Sequence, residues 1–246
     1  MDVSLLVHTC DNYSRYWGGM LFSLDFNWNF EHIPVYWASE EKGVHDTEFF
    51  TRGFRYKPNP SIKEILTGKT DKNGFSTRMR IALEKISSKW VIYIQEDMWL
   101  ISSPKRELFS ELLLFAELVA ADSIKIHTKL HYYDSYVLEP TQFKIQDEMI
   151  LKYSQTENYL HSHNATIWNR EYLLRNLRDG EDPWTNEIEG SKRMSSNPHN
   201  HYHYNIHWYS QPGVCEMGED ARDFLTLAPI LEDRMELKLK FSKQDA

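Results

Sequence analysis

Two adjacent carboxylates, Glu96 and Asp97, follow an apolar run at residues 90–94, with only Gln95 between them and the run. Such a run is typical of a buried central strand, and ligands of open α/β sheets bind beyond the carboxyl ends of the strands. An acidic protein cannot hold a nucleotide diphosphate directly, whereas a divalent cation on a carboxylate can bridge the two. The pair therefore predicts a divalent-cation site at Asp97, with Glu96 beside the bound nucleotide. In the alternative interpretation, the two acids cap the next turn or pair with a basic neighbour.

Histidines alternate with apolar residues near the end of the chain. One parity carries His199, His201, His203 and His207, and the other carries Tyr202, Tyr204, Ile206 and Trp208. As a strand, this segment has one histidine face and one apolar face that anchors it to the core. The imidazoles are therefore expected to point into a cleft or into water, where His207, or else His203, completes the metal site of Asp97. A zinc site and a solvated polar face are the alternatives, and no cysteine pair supports zinc.

The segment 179–193 combines five acids, one tryptophan and two bases. A sugar transfer that inverts the anomeric carbon needs a carboxylate to deprotonate the attacking hydroxyl, and Glu187 or Asp182 could supply it. Trp184 offers an apolar face to a sugar ring, and Lys192 and Arg193 could steady phosphate charge. The same composition fits an amphipathic helix whose acids and bases complement the helix dipole, and the two interpretations are compatible.

Composition limits the classes of function. The 246-residue chain has a formal net charge of −8, which argues against general nucleic-acid binding because a phosphate backbone requires a basic surface. It has no apolar run of about 18 residues and begins without the basic stretch of a signal peptide, so we expect a soluble, cytoplasmic protein without a transmembrane segment. A peripheral membrane contact stays open. The two cysteines, Cys10 and Cys215, imply no disulfide framework. Aromatic residues make up 14% of the chain, which suits stacking on sugars as well as a tyrosine-rich core.

The elements that would position these residues follow a strand–helix rhythm. Strands are predicted at 3–9, 34–38, 90–94 and 123–127, and helices at 16–24, from a cap at Ser76, from Ser103 and Pro104, and from a cap at Asn169 to Leu177. Residues 129–160 fit short strands or a flap, and an exposed helix is expected from about residue 232. We predict an α/β fold with a mostly parallel central sheet flanked by helices and a smaller antiparallel section in the C-terminal half. Residues 1–246 are expected to form one domain, with a nucleotide-binding half at about 1–128 and an acceptor and catalytic half at about 129–231.

The order of these motifs resembles the small GT-A glycosyltransferases, particularly bacterial and viral ones linked to polysaccharide synthesis. Residues 3 to about 210 carry the resemblance, through Asp11-Asn12-Tyr13 with Trp17, Phe75-Ser76 with Ala82-Leu83, Val91-Ile92-Tyr93-Ile94-Gln95-Glu96-Asp97, Asn164-Ala165-Thr166-Ile167-Trp168 and Pro183-Trp184-Thr185-Asn186-Glu187. The resemblance implies a Rossmann-like GT-A fold in which Thr9 and Asp11 hold the nucleotide, Asp97 holds Mn or Mg, and Glu187 is the base. The further expected donor-binding residues are Tyr13, Glu40, Arg78 and Glu96. The usual Asp-X-Asp metal motif stands here as Gln95-Glu96-Asp97, so only its last acid matches.

These observations together predict an inverting, metal-assisted glycosyltransferase of the hexosyltransferase class. Its substrates would be a UDP- or GDP-linked sugar donor and a glycan or lipid-linked acceptor. A sugar nucleotidyltransferase is one alternative, although such enzymes normally begin with a Gly-rich basic loop that this chain lacks. The other alternative is a non-catalytic carbohydrate-binding protein whose Trp and Tyr side chains stack on sugars.

Overall fold

A computed structural model of the protein describes residues 1–28, 32–47, 49–51, 54–71, 73–127, 137–157 and 159–210. Three features considered in the sequence lie outside these residues. They are the start of the expected flap at 129–136, the second cysteine Cys215, and the expected helix from about residue 232.

The described residues contain thirteen strands and five α-helices, numbered in chain order. The strands are β1 (Val3–His8), β2 (Val35–Ser39), β3 (Phe49–Thr51), β4 (Phe54–Tyr56), β5 (Lys63–Leu66), β6 (Trp90–Gln95), β7 (Trp99–Leu100), β8 (Ser123–Ile126), β9 (Leu138–Ile145), β10 (Glu148–Tyr153), β11 (Thr166–Asn169), β12 (His201–Tyr204) and β13 (Tyr209–Ser210). The helices are α1 (Ser14–Asn27), α2 (Phe75–Glu84), α3 (Arg106–Leu118), α4 (Arg170–Asn176) and α5 (Pro183–Ser195), and a 3-10 turn covers Asp11–Tyr13. None of the described helices is long and apolar enough to cross a membrane.

Nine of these strands form one mixed sheet in the order β5-β2-β1-β6-β11-β8-β12-β10-β9. The four strands from β5 to β6 run parallel, as the strand–helix rhythm of the first half predicts. β11 is antiparallel to β6 and β8, β12 is parallel to β8, and β10 and β9 complete the edge in antiparallel pairs. The predicted α/β fold is confirmed. Its antiparallel part is larger than predicted because β11 inserts beside β6 at the centre of the sheet.

Helices cover both faces of the sheet, which explains why its central strands are apolar on both sides. Val7 and Ile92 belong to the core cluster that contains side chains of α1 and α3. Leu6 and Val91 belong to the second cluster, with side chains of α2, α4 and α5. Since both faces are filled, the ends of the strands are where polar side chains can gather.

Two predicted helix caps have different outcomes. Asn169 caps α4 as predicted, because its Oδ1 accepts the N–H of Tyr172 at 3.1 Å. The prediction that Ser76 caps a helix is wrong, because α2 already begins at Phe75. The Ser76 hydroxyl instead donates to the carbonyl oxygen of Arg178 at 2.5 Å and thereby ties α2 to the segment before α5.

The third helix begins later than predicted. Ser103 and Pro104 precede it, and Lys105 occupies the N-cap position with an extended backbone, φ −68° and ψ 139°. This conformation keeps the chain out of the helix until Arg106, so Pro104 is not in the first turn.

The histidine-rich segment forms a shorter strand than predicted, because pairing with β8 stops at Tyr204. The parity prediction holds within β12, where Tyr202 and Tyr204 pack in the cluster of α1 and α3 and the imidazoles take the other face. The prediction that the imidazoles open to a cleft or to water is wrong for His201 and His203, which are buried, as is His199. Side chains of α4 and β10 cover this face of β12 and contact both rings of the strand.

Candidate active site

The carboxyl ends of β1, β2 and β6 form one edge of the sheet. β1 pairs in parallel with β2 on one side and with β6 on the other, and His8 is in the last pair of both ladders. The residues that follow the three strands therefore leave the sheet together: Thr9, Glu40, Glu96 and Asp97. This is the arrangement that the sequence predicted for the acidic pair.

Glu96 is buried at this edge, and Asp97 beside it is partly exposed. Burial raises the pKa of Glu96 to about 8, helped by the charge of Asp97, and a hydrogen bond from Thr9 opposes the shift. Burial also raises the pKa of Asp97 to about 6. Oδ1 of Asp97 is enclosed and accepts no hydrogen bond from the described residues. The two carboxylates at this edge thus lack enough hydrogen-bond donors and nearby positive charges to stabilise their ionised forms.

Glu96, with a pKa of about 8, needs a positive partner to be ionised near neutral pH, whereas Asp97, with a pKa of about 6, is largely ionised there. Within the described ranges, no group of three or more His, Cys, Asp or Glu side chains could hold a metal ion. Mg²⁺ does not require such a group, since it usually binds through one or two carboxylates together with waters and substrate phosphates. The acidic pair therefore fits a cation that binds together with a phosphate-bearing ligand.

Asp11, Glu40 and Arg78 tie together the loops beyond β1 and β2. The Asp11 carboxylate accepts the backbone N–H groups of Glu41 and Lys42 at 3.2 Å, and Oε2 of Glu40 accepts the N–H of Asp11 at 3.0 Å. Nη1 of Arg78, on α2, lies 3.2 Å from Oε1 of Glu40. Nε of Arg78 is buried and donates no hydrogen bond to the described residues. Asp11 and Glu40 thus shape the loops, and Arg78 keeps one donor for a ligand.

Aromatic side chains accompany the segment after β1. Nε1 of Trp17 donates to Oγ1 of Thr9 at 2.8 Å, which fixes the hydroxyl that lies close to Glu96. The Tyr13 side chain is 39% exposed, and its ring stacks with that of Tyr16 at a centroid separation of 6.1 Å. The Tyr13 ring therefore offers a flat surface of the kind on which a planar base stacks.

Asp182 is the N-cap of α5. Its Oδ1 accepts the N–H of Thr185 and its Oδ2 accepts the hydroxyl of Thr185, both at 2.9 Å. Pro183 lies in the first turn, where its missing N–H costs no helical hydrogen bond. Both carboxylate oxygens of Asp182 thus stabilise the start of the helix, which favours Glu187 as the base.

Asp182→Ala is expected to lower the free energy of unfolding by about 1 kcal/mol, the usual cost of losing an N-cap, and to change any turnover by less than about threefold. Urea unfolding and initial rates on the same preparation check this. Asn169→Ala, at the cap of α4, is the matched control because it removes the same kind of cap from another helix. Lost turnover at unchanged stability in Asp182→Ala would reassign the base to Asp182.

Glu187 lies in the second turn of α5, and its Oε1 accepts the backbone N–H of His163 at 2.6 Å. Tyr93 on β6 links this acid to the strand edge. Burial raises the pKa of the Tyr93 phenol, and the charges of Glu96, Glu187 and Asp97 raise it further, in that order. The Tyr93 ring also lies 6.0 Å from the ring of His163, so the strand that leads to the acidic pair and the acid on α5 meet here, although they come from distant parts of the sequence.

The bases at the end of α5 are engaged with acids of the same segment. Arg193 donates to both carboxylate oxygens of Glu181, at 2.7 and 2.9 Å, and Lys192 pairs with Glu189 at 2.6 Å. Arg193 is thereby a structural group and not the phosphate ligand that its position suggested. Trp184, in contrast, is 67% exposed, so its ring is open to a ligand.

The histidines occupy two different environments. Nδ1 of His201 is 2.7 Å from the hydroxyl of Ser123, and Nδ1 of His203 is 3.3 Å from the hydroxyl of Tyr153. Nδ1 of each ring is engaged inside the protein, and the alternative in which His203 completes the metal site stays a prediction. His207 is exposed in the segment between β12 and β13, and its role as a metal ligand stays a prediction.

Three buried side chains near Glu187 and Tyr93 were not among the predicted site residues: His8, Lys125 and His163. Neither ring nitrogen of His8 has a hydrogen-bond partner among the described residues, and burial lowers its pKa well below the usual value. Lys125 carried one signal in the sequence, a charged residue flanked by two isoleucines in an apolar strand. His8 and His163 carried none.

Solved structures share this fold at low sequence identity. The structure of S. aureus TarS 1–349 with UDP matches at a TM-score of 0.51 and 12% identity, over 84% of this chain and 59% of that chain. TarS 1–349 with UDP-GlcNAc matches at a TM-score of 0.51 and 14% identity, over 85% and 58%. CMP:2-keto-3-deoxy-manno-octonic acid synthetase with CTP matches at a TM-score of 0.52 and 11% identity, over 94% and 99%. The fold is GT-A-like.

This GT-A-like fold is common to TarS, a glycosyltransferase, and to nucleotidyltransferases, so it does not separate the two classes of activity. The chain spans less than two thirds of the TarS 1–349 structure. No protein-family model matches the chain, and no curated protein matches it in sequence.

Proposed function

We propose that the protein is a glycosyltransferase that moves a sugar from a nucleotide-linked donor to an acceptor hydroxyl, with inversion at the anomeric carbon. The observation that carries the proposal is the short path from the acidic pair to Glu187. The ring of Tyr93, three residues before Glu96, lies 6.0 Å from the ring of His163, whose backbone N–H donates to Oε1 of Glu187 at 2.6 Å. Acids suited to a cation and an acid suited to accept a proton are thus connected through Tyr93 and His163. TarS shares the fold and binds UDP and UDP-GlcNAc, which supports a nucleotide-sugar donor.

The donor nucleotide would lie over the edge formed by β1, β2 and β6. The exposed Tyr13 ring offers a surface for the base, and Thr9 and Asp11 shape the loop beneath it. Arg78 carries an unused guanidinium N–H that suits a phosphate oxygen. These groups favour a UDP- or GDP-linked sugar as the donor class.

Asp97, with Glu96 beside it, would hold Mn or Mg. The enclosed Oδ1 of Asp97, which lacks a hydrogen-bond partner among the described residues, supports this assignment. A bound cation would offset the negative charge of the departing nucleoside diphosphate.

Glu187 would accept the proton of the acceptor hydroxyl. The hydroxyl oxygen forms the new bond to the anomeric carbon, while the bond from this carbon to the diphosphate oxygen breaks and the nucleoside diphosphate leaves with the electron pair. Trp184 precedes Glu187 by about one helical turn, and its exposed ring suits an acceptor sugar. A glycan or a lipid-linked glycan, as in polysaccharide synthesis, is the acceptor class that we propose.

A product assay tests this function. The protein is incubated with MnCl₂ and a panel of UDP-glucose, UDP-galactose, UDP-N-acetylglucosamine and GDP-mannose, with and without a mixture of oligosaccharides. We expect release of UDP or GDP from at least one donor, faster with an acceptor present.

A second reaction mixture addresses the two alternatives. The match to the CTP-bound synthetase favours a nucleotidyltransferase as the second candidate, which would release pyrophosphate when given a nucleoside triphosphate with a sugar acid or a sugar 1-phosphate. Pyrophosphate as the only product would replace our proposal. Sugar binding without any metal-dependent affinity for nucleotides would instead indicate a carbohydrate-binding protein.

Trp184→Ala is expected to raise the KM for the acceptor about tenfold and to leave the KM for the donor unchanged, because a stacked ring contributes about 1 kcal/mol or slightly more. Steady-state kinetics with each substrate varied in turn check this. Ile188→Ala is the matched control, since Ile188 is another exposed apolar residue on α5. An unchanged acceptor KM in Trp184→Ala would remove this ring from the acceptor site.

A further inference from the structure

Lys125 is a fully buried lysine in the middle of β8. Its Cα lies opposite Thr166 on β11 and His203 on β12. Nζ of Lys125 donates to the carbonyl oxygen of Tyr159 and lies 4.7 Å from the ring centre of Tyr153. An ammonium without water is strongly destabilising unless acids and carbonyls compensate for its charge, so its position in the core needs a reason.

Two carboxylates compensate for this ammonium. Burial lowers the pKa of Lys125 to about 7, and the charges of Glu187 and Glu157 oppose that shift. Glu157 is fixed by the backbone N–H of Val137 at 2.7 Å. The titratable side chains around the amine are Glu157, Glu187, Tyr153, His161, His201 and His203. Glu187 is therefore one of two acids that share a single buried positive charge.

The Tyr159 carbonyl that binds Lys125 belongs to a residue with an unusual backbone conformation. Tyr159 has φ +57°, in the left-handed region. A residue with a side chain is strained there, and such strain persists only where the surroundings enforce it, often at functional sites. The hydrogen bond from Lys125 is one of the contacts that hold this conformation.

The stretch 159–163 continues from this carbonyl to α5. Gly190 of α5 lets the ring of His161 approach closely, because a Cβ at Gly190 would lie 2.2 Å from Nδ1 of His161. Two residues further on, the N–H of His163 donates to Oε1 of Glu187 at 2.6 Å. One short stretch of backbone thus contacts the buried amine at one end and the proposed base at the other.

We propose that Lys125 is a positioning residue for Glu187: it anchors the stretch 159–163, whose far end binds the Glu187 carboxylate. This inference rests on the proposed function, in which Glu187 is the base. A displacement of about 1 Å at a catalytic group can cost about 100-fold in rate, so the anchor of this stretch bears directly on the base.

Lys125→Met tests this role, because it keeps the length of the side chain and removes the charge. We expect the Kd of UDP with Mn to change by less than about threefold and kcat to fall by about 100-fold. The KM for the donor should stay within about threefold of the wild type, since the substitution does not change the edge formed by β1, β2 and β6. A kcat within threefold of the wild type, or a loss of UDP affinity equal to the loss of kcat, would overturn the inference.

Lys152→Met is the matched control. Lys152 lies on β10, binds Oδ1 of Asn200 at 3.1 Å and stacks over Tyr202, so the same change removes a lysine that does not face Glu187. We expect its kcat to stay within about threefold of the wild type, and an equal fall in both variants would overturn the specific role of Lys125. If Lys125→Met does not fold, Lys125→Arg decides: it keeps a donor for the Tyr159 carbonyl, so kcat should stay within about tenfold of the wild type, and a 100-fold fall would contradict the proposal.

The activity of the wild-type protein distinguishes a failure of the proposed function from a failure of the inference on Lys125. If the wild type releases no UDP or GDP from any donor, the proposed function fails, and the inference on Lys125 fails with it. If the wild type turns over and Lys125→Met matches it, only the inference on Lys125 fails.

Discussion

Asp97→Asn is expected to weaken the metal-dependent binding of UDP or GDP by at least about 100-fold. The amide replaces the carboxylate whose enclosed oxygen lacks a hydrogen-bond partner among the described residues. It also removes one unit of negative charge and leaves Glu96, whose pKa is raised to about 8, as the remaining acid of the pair. Isothermal titration calorimetry of each nucleotide, with and without MnCl₂, measures the effect.

The same substitution has an expected effect on stability in the absence of metal. The pKa values of Glu96 and Asp97 are raised to about 8 and about 6, so the folded chain binds more protons than the unfolded chain between about pH 4 and 8. The free energy of unfolding of the metal-free wild type should therefore fall as the pH rises through this range, and this fall should be smaller in Asp97→Asn. Urea unfolding at a series of pH values measures it.

Asp122→Asn is the matched control for both measurements. Burial also raises the pKa of Asp122, and its carboxylate accepts the N–H of Asn200 at 2.8 Å just before β8 begins, away from the proposed cation site. We expect this variant to bind nucleotide with the metal dependence of the wild type. If Asp97→Asn did the same, Asp97 would have no part in the donor site.

Glu187→Gln is expected to keep the affinity for the donor and to lower kcat by about 1,000-fold. The amide can still accept the N–H of His163, so the local structure is preserved, but it cannot take the proton of the acceptor hydroxyl. Calorimetry with UDP and Mn, together with product release under saturating donor and acceptor, checks the two halves of this expectation.

Glu189→Gln is the control for this variant. Glu189 lies two residues further along α5 and pairs with Lys192 at 2.6 Å, so its loss should change kcat by less than about threefold. Full activity of Glu187→Gln would reassign the base to Asp182 or Glu189. A loss of donor affinity equal to the loss of kcat would place Glu187 in the donor site instead.

Several features of the fold and the site follow from short sequence patterns. The buried strands 3–9 and 90–94 were predictable because continuous apolar runs are typical of strands that are covered on both faces. The place of Glu96 and Asp97 followed directly, since the residue after a parallel strand must leave the sheet at its carboxyl edge. Asn169 was identifiable as a cap because capping depends on neighbours within three residues.

Predictions that depended on distant partners were less successful. The alternation of β12 was predicted correctly, yet the exposure of His201 and His203 was not, because Tyr172 and Tyr153 come from distant segments to cover them. Ser76 fitted the composition of a cap, but its hydroxyl binds a carbonyl 102 residues away.

The sequence by itself determined the α/β class, the central strand and the position of the acidic pair, because each depends on the period of apolar residues and on the residues next to them. Only the tertiary structure showed which acids already accept hydrogen bonds within the protein. It shows that Asp182 caps α5 and that Asp11 holds backbone N–H groups 30 residues away. It also decided that the stretch 159–163 connects Lys125 with Glu187, because Lys125 binds the Tyr159 carbonyl and the His163 N–H binds Glu187, and no local pattern connects these segments.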